Sequence, residues 1–356
     1  MRVQQLFNKE YEMKRILVSL FVLLISLSCV FAGGAKESTG SKPVTAALIT
    51  NPRGTSVFIN EGIAGFEQAC AKWGIKGTVV ECKDTSEYES NARAAANEGY
   101  DIIIGASWEA GSIISELAEI YDDIAFGIID TLVDSEKVKC VNYYEAEGAY
   151  LVGVIAALTV DGASHNYGSI NVSQSASSFK WRYGFSQGVL SIDPKAKFTF
   201  NYVNGYSEVA LANELARQQF EKGCLFINSC AAGGDTGTFQ AALDKKFYTA
   251  GQDVDLTSRD NPYIITCQLK GAGESVAYLL DLYMEDKWNF DNETLGVADG
   301  AIGAIWATRD SEITDRPAQL SDADMVIIKQ AVEDIKSGKI NMRDMPNEVA
   351  GIIPLI

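Results

Sequence analysis

The sequence contains very little histidine, and its cysteines are not arranged for metal binding. His165 is the only histidine, and the seven cysteines form no Cys-x-x-Cys pair. A Ser-His-Asp triad needs an imidazole, and structural zinc sites usually cluster Cys and His ligands. The sequence therefore argues against a triad hydrolase and against a His-based zinc site, and we expect no cofactor.

Basic residues are also scarce. Lys and Arg number 30 against 47 Asp and Glu, so the formal net charge is −17. Such a surface repels phosphate backbones and anionic lipid headgroups, and it keeps copies of the chain apart. We therefore expect no nucleic-acid partner, and we expect a soluble monomeric body.

The N terminus lacks an apolar run long enough to cross a membrane. Its apolar run, residues 16–27, spans 12 positions and follows the basic start Met13-Lys14-Arg15. A membrane-spanning helix needs about 20 apolar residues, whereas a secretory signal needs fewer. Residues 1–28 are therefore predicted to be an export signal. Cleavage before Cys29, with lipid on its thiol, would give a lipoprotein facing the periplasm or cell exterior. Cleavage after Ala32 would instead release a soluble protein.

Beyond a small, polar tether at residues 29–42, the chain alternates strand-like and helix-like patterns. Continuous apolar stretches such as 101–105 lie between amphipathic stretches such as 58–73. This alternation predicts parallel sheets covered by helices on both faces. Because the alternation restarts near residue 144, we predict two doubly wound α/β lobes, with a (β/α)₈ barrel as the alternative. Ligands of such lobes bind beyond the carboxyl ends of the strands.

The six cysteines after Cys29 are even in number, which permits disulfides in an exported chain. Most of them lie in apolar stretches, where cysteine behaves as a small buried hydrophobe. We therefore predict buried free thiols.

Five segments, in order, resemble a known family. They are residues 46–50 (AALIT), 126–130 (FGIID), 144–153 (YEAEGAYLVG), 231–234 (AAGG) and 251–255 (GQDVD). The chain resembles the basic membrane protein family of substrate-binding lipoproteins, which includes spirochaetal receptors for purine nucleosides and for riboflavin. The resemblance implies a type I periplasmic-binding fold, in which two lobes joined by three crossing strands close on a small ligand and deliver it to an ABC permease. The first lobe would comprise residues 43–144 and 270–298, and the second 145–269 and 299–356.

The first loop departs from the nucleoside-receptor pattern. Where those receptors carry Asp after the first strand, this chain has Asn51 in a loop that looks shorter. The departure puts a purine nucleoside in doubt. Together with two large aromatic platforms, Trp108 and Trp181, it favours riboflavin over a purine nucleoside.

Aromatic and polar residues after the predicted strands form the candidate ligand site. Flat aromatic faces hold planar heterocycles by offset stacking, and polar groups pair with the ligand's donors and acceptors. The predicted ligand-binding residues are Asn51, Phe58, Trp108, Asp130, Tyr144, Phe179, Trp181, Tyr206, Gly233, Asp253 and Lys270. Each aromatic could instead be core packing, and each Asp a helix cap or turn residue.

The predicted function is that of a non-enzymatic receptor for a planar heterocycle carrying a ribityl or ribosyl chain. An exported nucleoside hydrolase is the enzymatic alternative, because Asp253 and Asp255 could act as paired carboxylates. A ligand sensor for a membrane kinase, which uses the same fold, is a third possibility.

Overall fold

The computed structural model describes residues 42–346, of which residues 44–346 belong to one compact unit. The predicted signal peptide, Cys29 and all of the tether except Lys42 lie outside the described residues. Within the described part, no helix combines the length and apolar character needed to cross a membrane.

Strands and helices alternate along the chain. The first part comprises β1 (Thr45–Thr50), α1 (Val57–Trp73), β2 (Lys76–Glu81), α2 (Thr85–Glu98), β3 (Ile102–Gly105), α3 (Gly111–Ile120), β4 (Ala125–Ile129) and β5 (Val138–Tyr143). The second comprises α4 (Glu145–Val160), β6 (Asn166–Asn171), α5 (Ala176–Ile192), β7 (Lys197–Tyr202), α6 (Val209–Glu221), β8 (Cys224–Cys230), α7 (Asp235–Lys245), β9 (Tyr248–Gly251) and β10 (Ile264–Lys270). The last comprises α8 (Ala272–Met284), β11 (Glu293–Leu295), β12 (Ile302–Ala304) and α9 (Asp322–Lys336).

The first sheet has the strand order β11-β5-β4-β3-β1-β2, and its strands pair in parallel. Its central strands are buried on both faces, which explains their continuous apolar sequences. Ile102 and Ile104 point to one face and pack with α1 and α8, whereas Ile103 points to the other and packs with α2 and α3. This alternation follows from the two-residue period of a strand.

The second sheet has the order β12-β10-β9-β8-β6-β7, parallel except for β12, which runs antiparallel to β10. Helices α4 and α5 cover one face, and α6 and α7 cover the other. Helices α4 and α5 approach closely because glycines face each other across the contact. A Cβ on Gly188 would lie 2.0 Å from the carbonyl oxygen of Tyr150. Two separate sheets confirm the predicted two-lobe α/β fold and exclude the single barrel.

The chain passes between the lobes at three neighbouring points, after β5, after β10 and between β11 and β12. Hydrogen bonds join these crossings to one another. The Tyr144 amide donates to the Leu295 carbonyl at 2.8 Å, and the Gly271 amide donates to the Ala301 carbonyl at 2.8 Å. The Tyr143 hydroxyl also donates to the Gly271 carbonyl at 3.2 Å. The crossings therefore form one hydrogen-bonded hinge.

The six cysteines between residues 42 and 346 are buried, and none of them is in a disulfide. They lie at Cys70, Cys82, Cys140, Cys224, Cys230 and Cys267. Burial raises the pKa of Cys70 to about 11, so its thiol stays protonated at neutral pH. The thiols serve as small core residues.

Candidate functional site

A cavity of about 730 Å³ lies between the lobes at the carboxyl ends of the strands. Each lobe contributes the loops that follow its strands, as expected for doubly wound sheets. From the first lobe the lining includes Asn51, Thr55, Ser56, Phe58, Ile59, Ser107, Trp108, Glu109, Asp130, Thr131, Leu132 and Asn142. From the second it includes Glu145, Val172, Ser173, Ser175, Ser178, Lys180, Trp181, Tyr206, Cys230, Ala232, Gln252, Asp253 and Lys270.

Lys270, the last residue of β10, places a buried cation in the cavity wall. Its ammonium forms an ion pair with Asp130 and lies 3.5 Å from a carboxylate oxygen of Glu145. Glu145 also pairs with Lys180 at 3.0 Å. Burial alone would lower the pKa of Lys270, but the negative charges of Asp130, Glu145 and Asp253 outweigh it and hold that pKa above its ordinary value.

Aromatic rings surround the Lys270 ammonium. The nitrogen lies 4.8 Å from the ring centre of Phe58, 5.1 Å from that of Tyr143 and 6.0 Å from that of Trp181. The negative ring faces stabilise a cation at such distances. Phe58 and Trp181 come from opposite lobes, so this cation lies where the two lobes meet.

Asp130 and Asp253 occupy matching positions, one after β4 in the first lobe and one after β9 in the second. Both have left-handed backbones, with φ of 70° and 71°, a region that Asp tolerates better than most residues. Burial raises the pKa of both carboxyls, and that of Asp253 reaches about 6. The Lys270 amide also donates to the Asp253 carbonyl at 2.9 Å, which ties this loop to the hinge.

Four buried acceptor oxygens of the lining have no hydrogen-bond partner within residues 42–346. They are Oε2 of Glu109, Oδ1 of Asn142, Oε1 of Gln252 and Oδ1 of Asp253. Buried polar atoms almost always have partners, and an unpaired one costs about 1–3 kcal/mol. These four oxygens are available to accept hydrogen bonds from donor groups of a ligand.

Two aromatic side chains of the lining are open to solvent. Trp108 is 57% exposed and Tyr206 is 50% exposed, the first from the first lobe and the second from the second. Exposed apolar surface that lines a cleft is surface that a ligand can cover. Phe58 and Trp181, by contrast, are already buried by the protein itself and form part of the cavity surface.

Of the eleven predicted ligand-binding residues, eight line the cavity: Asn51, Phe58, Trp108, Asp130, Trp181, Tyr206, Asp253 and Lys270. The other three lie beside it. The Tyr144 ring packs under the guanidinium of Arg343 at 4.2 Å, and Phe179 contacts Tyr183 with ring centres 5.8 Å apart. The Gly233 amide donates to the Tyr206 carbonyl at 2.9 Å, so it helps to hold the loop that carries Tyr206.

Several lining residues were not predicted. Glu109 and Gln252 directly follow and precede predicted residues, so loop position alone could have found them. Glu145 likewise directly follows the predicted Tyr144, whereas Asn142 lies within β5, and finding it required recognising that strand. Asp255, the second carboxylate of the hydrolase alternative, instead accepts hydrogen bonds from the Thr257 amide at 3.0 Å and hydroxyl at 2.7 Å.

Comparisons with known proteins agree with this geometry. Residues 42–345 match the model of the Bmp family, described as "ABC transporter substrate-binding protein PnrA-like". The CD4+ T-cell-stimulating antigen of Listeria innocua is 25% identical over 253 residues, which cover 66% of this chain and 70% of the relative. The ABC transporter nucleoside-binding protein BmpA of Lactococcus lactis is 22% identical over 358 residues, which cover 92% and 99%.

Relatives also include an uncharacterized lipoprotein of Pyrococcus abyssi, 22% identical over 303 residues that cover 81% of this chain and 75% of the relative. Among solved structures, an ABC transporter solute-binding protein from Aeropyrum pernix superposes with a TM-score of 0.74 at 18% identity, covering 86% of this chain and 94% of that one. This structural likeness shows the fold. Because the family model spans most of the sequence, the chain belongs to the Bmp family of PnrA-like ABC transporter substrate-binding proteins.

Proposed function

We propose that this protein captures a nucleoside between its two lobes and delivers it to an ABC permease. Family membership implies a small-molecule ligand and a permease partner. The relative from Lactococcus lactis is named a nucleoside-binding protein, and riboflavin finds no such support among the relatives. The observation that carries the proposal is a set of unpaired acceptor oxygens in a cavity that aromatic residues of both lobes also line.

The sugar is proposed to bind near Asp253. Oδ1 of Asp253, Oε1 of Gln252 and Oδ1 of Asn142 are acceptors without partners in the described part of the chain. Ribose hydroxyls are donors of matching chemistry, and each can also accept a bond. A carboxylate that accepts from a hydroxyl makes a charge-assisted bond, about twice as strong as a neutral one.

The heterocycle is proposed to cover the exposed faces of Trp108 and Tyr206. These rings come from different lobes, so a planar ligand between them would hold the lobes together. Aromatic stacking contributes about 0.5–1.5 kcal/mol per ring beyond the burial of area.

The charges of the lining favour a neutral ligand over a phosphorylated one. The two lysines, Lys180 and Lys270, face four carboxyl groups, and both already pair with Glu145 or Asp130. A phosphate would meet uncompensated negative charge. We therefore infer that nucleosides bind and that nucleotides are rejected.

The proposal includes attachment to the outer face of the cell membrane through lipid on Cys29. It rests on the signal-like sequence at residues 1–28 and on relatives named lipoproteins. A hydrolytic function is disfavoured because Asp255 is held by Thr257 and is absent from the cavity lining.

The ligand that accompanies the purified protein tests the proposal. Denaturation should release a compound with the ultraviolet spectrum and mass of a nucleoside. A yellow compound with the visible absorbance of a flavin would refute nucleoside binding and favour riboflavin. Conversion of added nucleosides to free base during incubation would instead favour the hydrolase.

A further inference from the structure

Glu109 lines the cavity, and one oxygen of its carboxylate has no partner in the described part of the fold. It lies in the 3₁₀ turn Trp108–Ala110 that follows β3, directly after the exposed ring of Trp108. Its Oε2 atom is buried and has no hydrogen-bond partner among residues 42–346. A buried carboxylate oxygen without a partner costs desolvation free energy in the free protein.

Asn51 lies close to the Glu109 carboxylate. Burial raises the pKa of Glu109, and the neighbouring backbone and the Asn51 side chain oppose this increase. Asn51 follows β1 and lines the same cavity. The cavity wall therefore presents the unpaired Glu109 oxygen, with the polar atoms of the Asn51 amide nearby, to whatever the cavity holds.

Glu109 takes no part in the ion pairs of the Lys270 charge cluster, although the charge of Asp130 raises its pKa. That cluster joins Lys270 to Asp130 and Glu145, and no ion pair of the described chain links Glu109 to either lysine of the lining. The sugar was placed at Asp253, which also borders Lys270. Glu109 and Trp108 then face the other portion of the ligand, the heterocycle.

We propose that Glu109 is a specificity-determining residue, which reads the hydrogen-bonding edge of the heterocycle and selects bases with adjacent N–H donors. The proposal rests on the proposed nucleoside-binding function. An ionised carboxylate only accepts hydrogen bonds, and its two oxygens can accept from two neighbouring donors. Guanine presents such a pair on its N1–H and 2-amino group, hypoxanthine presents N1–H alone, and unsubstituted purine presents an acceptor nitrogen that the carboxylate repels.

Glu109→Gln tests this inference, because glutamine keeps the shape of the side chain but replaces one acceptor oxygen with a donor. Affinities for guanosine, inosine and purine riboside are measured by calorimetry for wild type and variant. Losing a charged hydrogen-bond partner should weaken guanosine binding about tenfold to a hundredfold, and inosine less. Purine riboside should bind unchanged or more tightly, because the new amide can donate to its ring nitrogen.

Glu136→Gln serves as the control, since it removes the same charge from an exposed side chain of the same lobe. It should leave all three affinities unchanged. Equal weakening of all three ligands by Glu109→Gln, or no change in any of the three affinities, would overturn the role of Glu109 while nucleoside binding stands. Failure of wild type to bind any nucleoside would overturn both.

Wild-type protein alone gives an independent test should Glu109→Gln fail to fold. 1-Methylguanosine carries a methyl group in place of the N1 hydrogen. The carboxylate therefore loses the N1–H donor and meets a methyl group instead. We expect it to bind at least tenfold more weakly than guanosine. Equal binding of the two compounds would contradict the inference.

Discussion

Replacing Lys270 with methionine should destabilise the protein strongly and in a pH-dependent way. The Lys270 ammonium is buried and compensates Asp130, Glu145 and Asp253, of which Asp130 is its direct ion-pair partner. Removing one partner of a buried ion pair typically costs about 3–5 kcal/mol, because the other charge is left uncompensated. At pH 7.5 the free energy of unfolding should therefore fall by about 3 kcal/mol.

The pH dependence follows from the carboxyl groups. Burial raises the pKa of Asp253 in the folded protein from 3.8 to about 6, so between those two pH values the folded state holds a proton that the unfolded state releases. Stability from such a group is fully present below its unfolded pKa and is lost as pH rises through its folded pKa. Without Lys270 the pKa values of Asp130 and Asp253 should rise further, so the penalty of Lys270→Met should shrink at pH 5.

Urea unfolding of ligand-free protein at pH 5 and pH 7.5 measures both effects. Lys72→Met is the matched control, because the Lys72–Asp281 ion pair is largely exposed, with 55% of the lysine side chain accessible. Exposed pairs contribute about 0–1 kcal/mol, so this control should change little at either pH. A loss below about 1 kcal/mol for Lys270→Met, or one independent of pH, would refute the role of Lys270 as the charge that compensates these buried carboxyl groups.

Three further predictions concern binding and anchoring. Trp108→Ala should weaken nucleoside binding by about 2 kcal/mol, or roughly thirtyfold in calorimetry, while thermal unfolding of the free protein stays unchanged because the ring is exposed. Wild-type affinity in that variant would make Trp108 irrelevant to the ligand. Asp253→Asn should weaken nucleosides but spare analogues that lack the sugar, and equal effects on both would remove Asp253 from the sugar site. Cys29→Ser should release the protein from membranes in fractionation, whereas retention would point to another anchor.

The sequence predicted those elements whose apolar pattern is local. Strand β3 is a run of isoleucines, and α1 carries its apolar residues on one face, so both were recognisable without tertiary information. Strand β5 was missed because Lys139 interrupts its apolar pattern. The Lys139 ammonium is fully buried and bonds to Asn289 Oδ1 at 2.9 Å, a partner 150 positions away that no local pattern reveals.

In the candidate site, too, residues placed by local sequence were predictable, whereas those placed by distant contacts were not. Loop residues after predicted strands, such as Trp108 and Asp253, could be placed near a ligand because carboxyl ends of parallel strands converge. Tyr144 was also predicted there, but its ring turns to Arg343, which lies in the C-terminal segment and contacts Glu147 at 2.9 Å. The direction of a hinge side chain depends on such distant contacts, and the sequence alone does not supply them.

Calorimetric titration of the wild-type protein with guanosine, guanosine monophosphate and riboflavin tests the central claim most directly. Stoichiometric binding of guanosine, with much weaker binding of its phosphate and no competition from riboflavin, is the predicted result. Tight binding of riboflavin without binding of guanosine would contradict nucleoside capture by the cavity between the lobes.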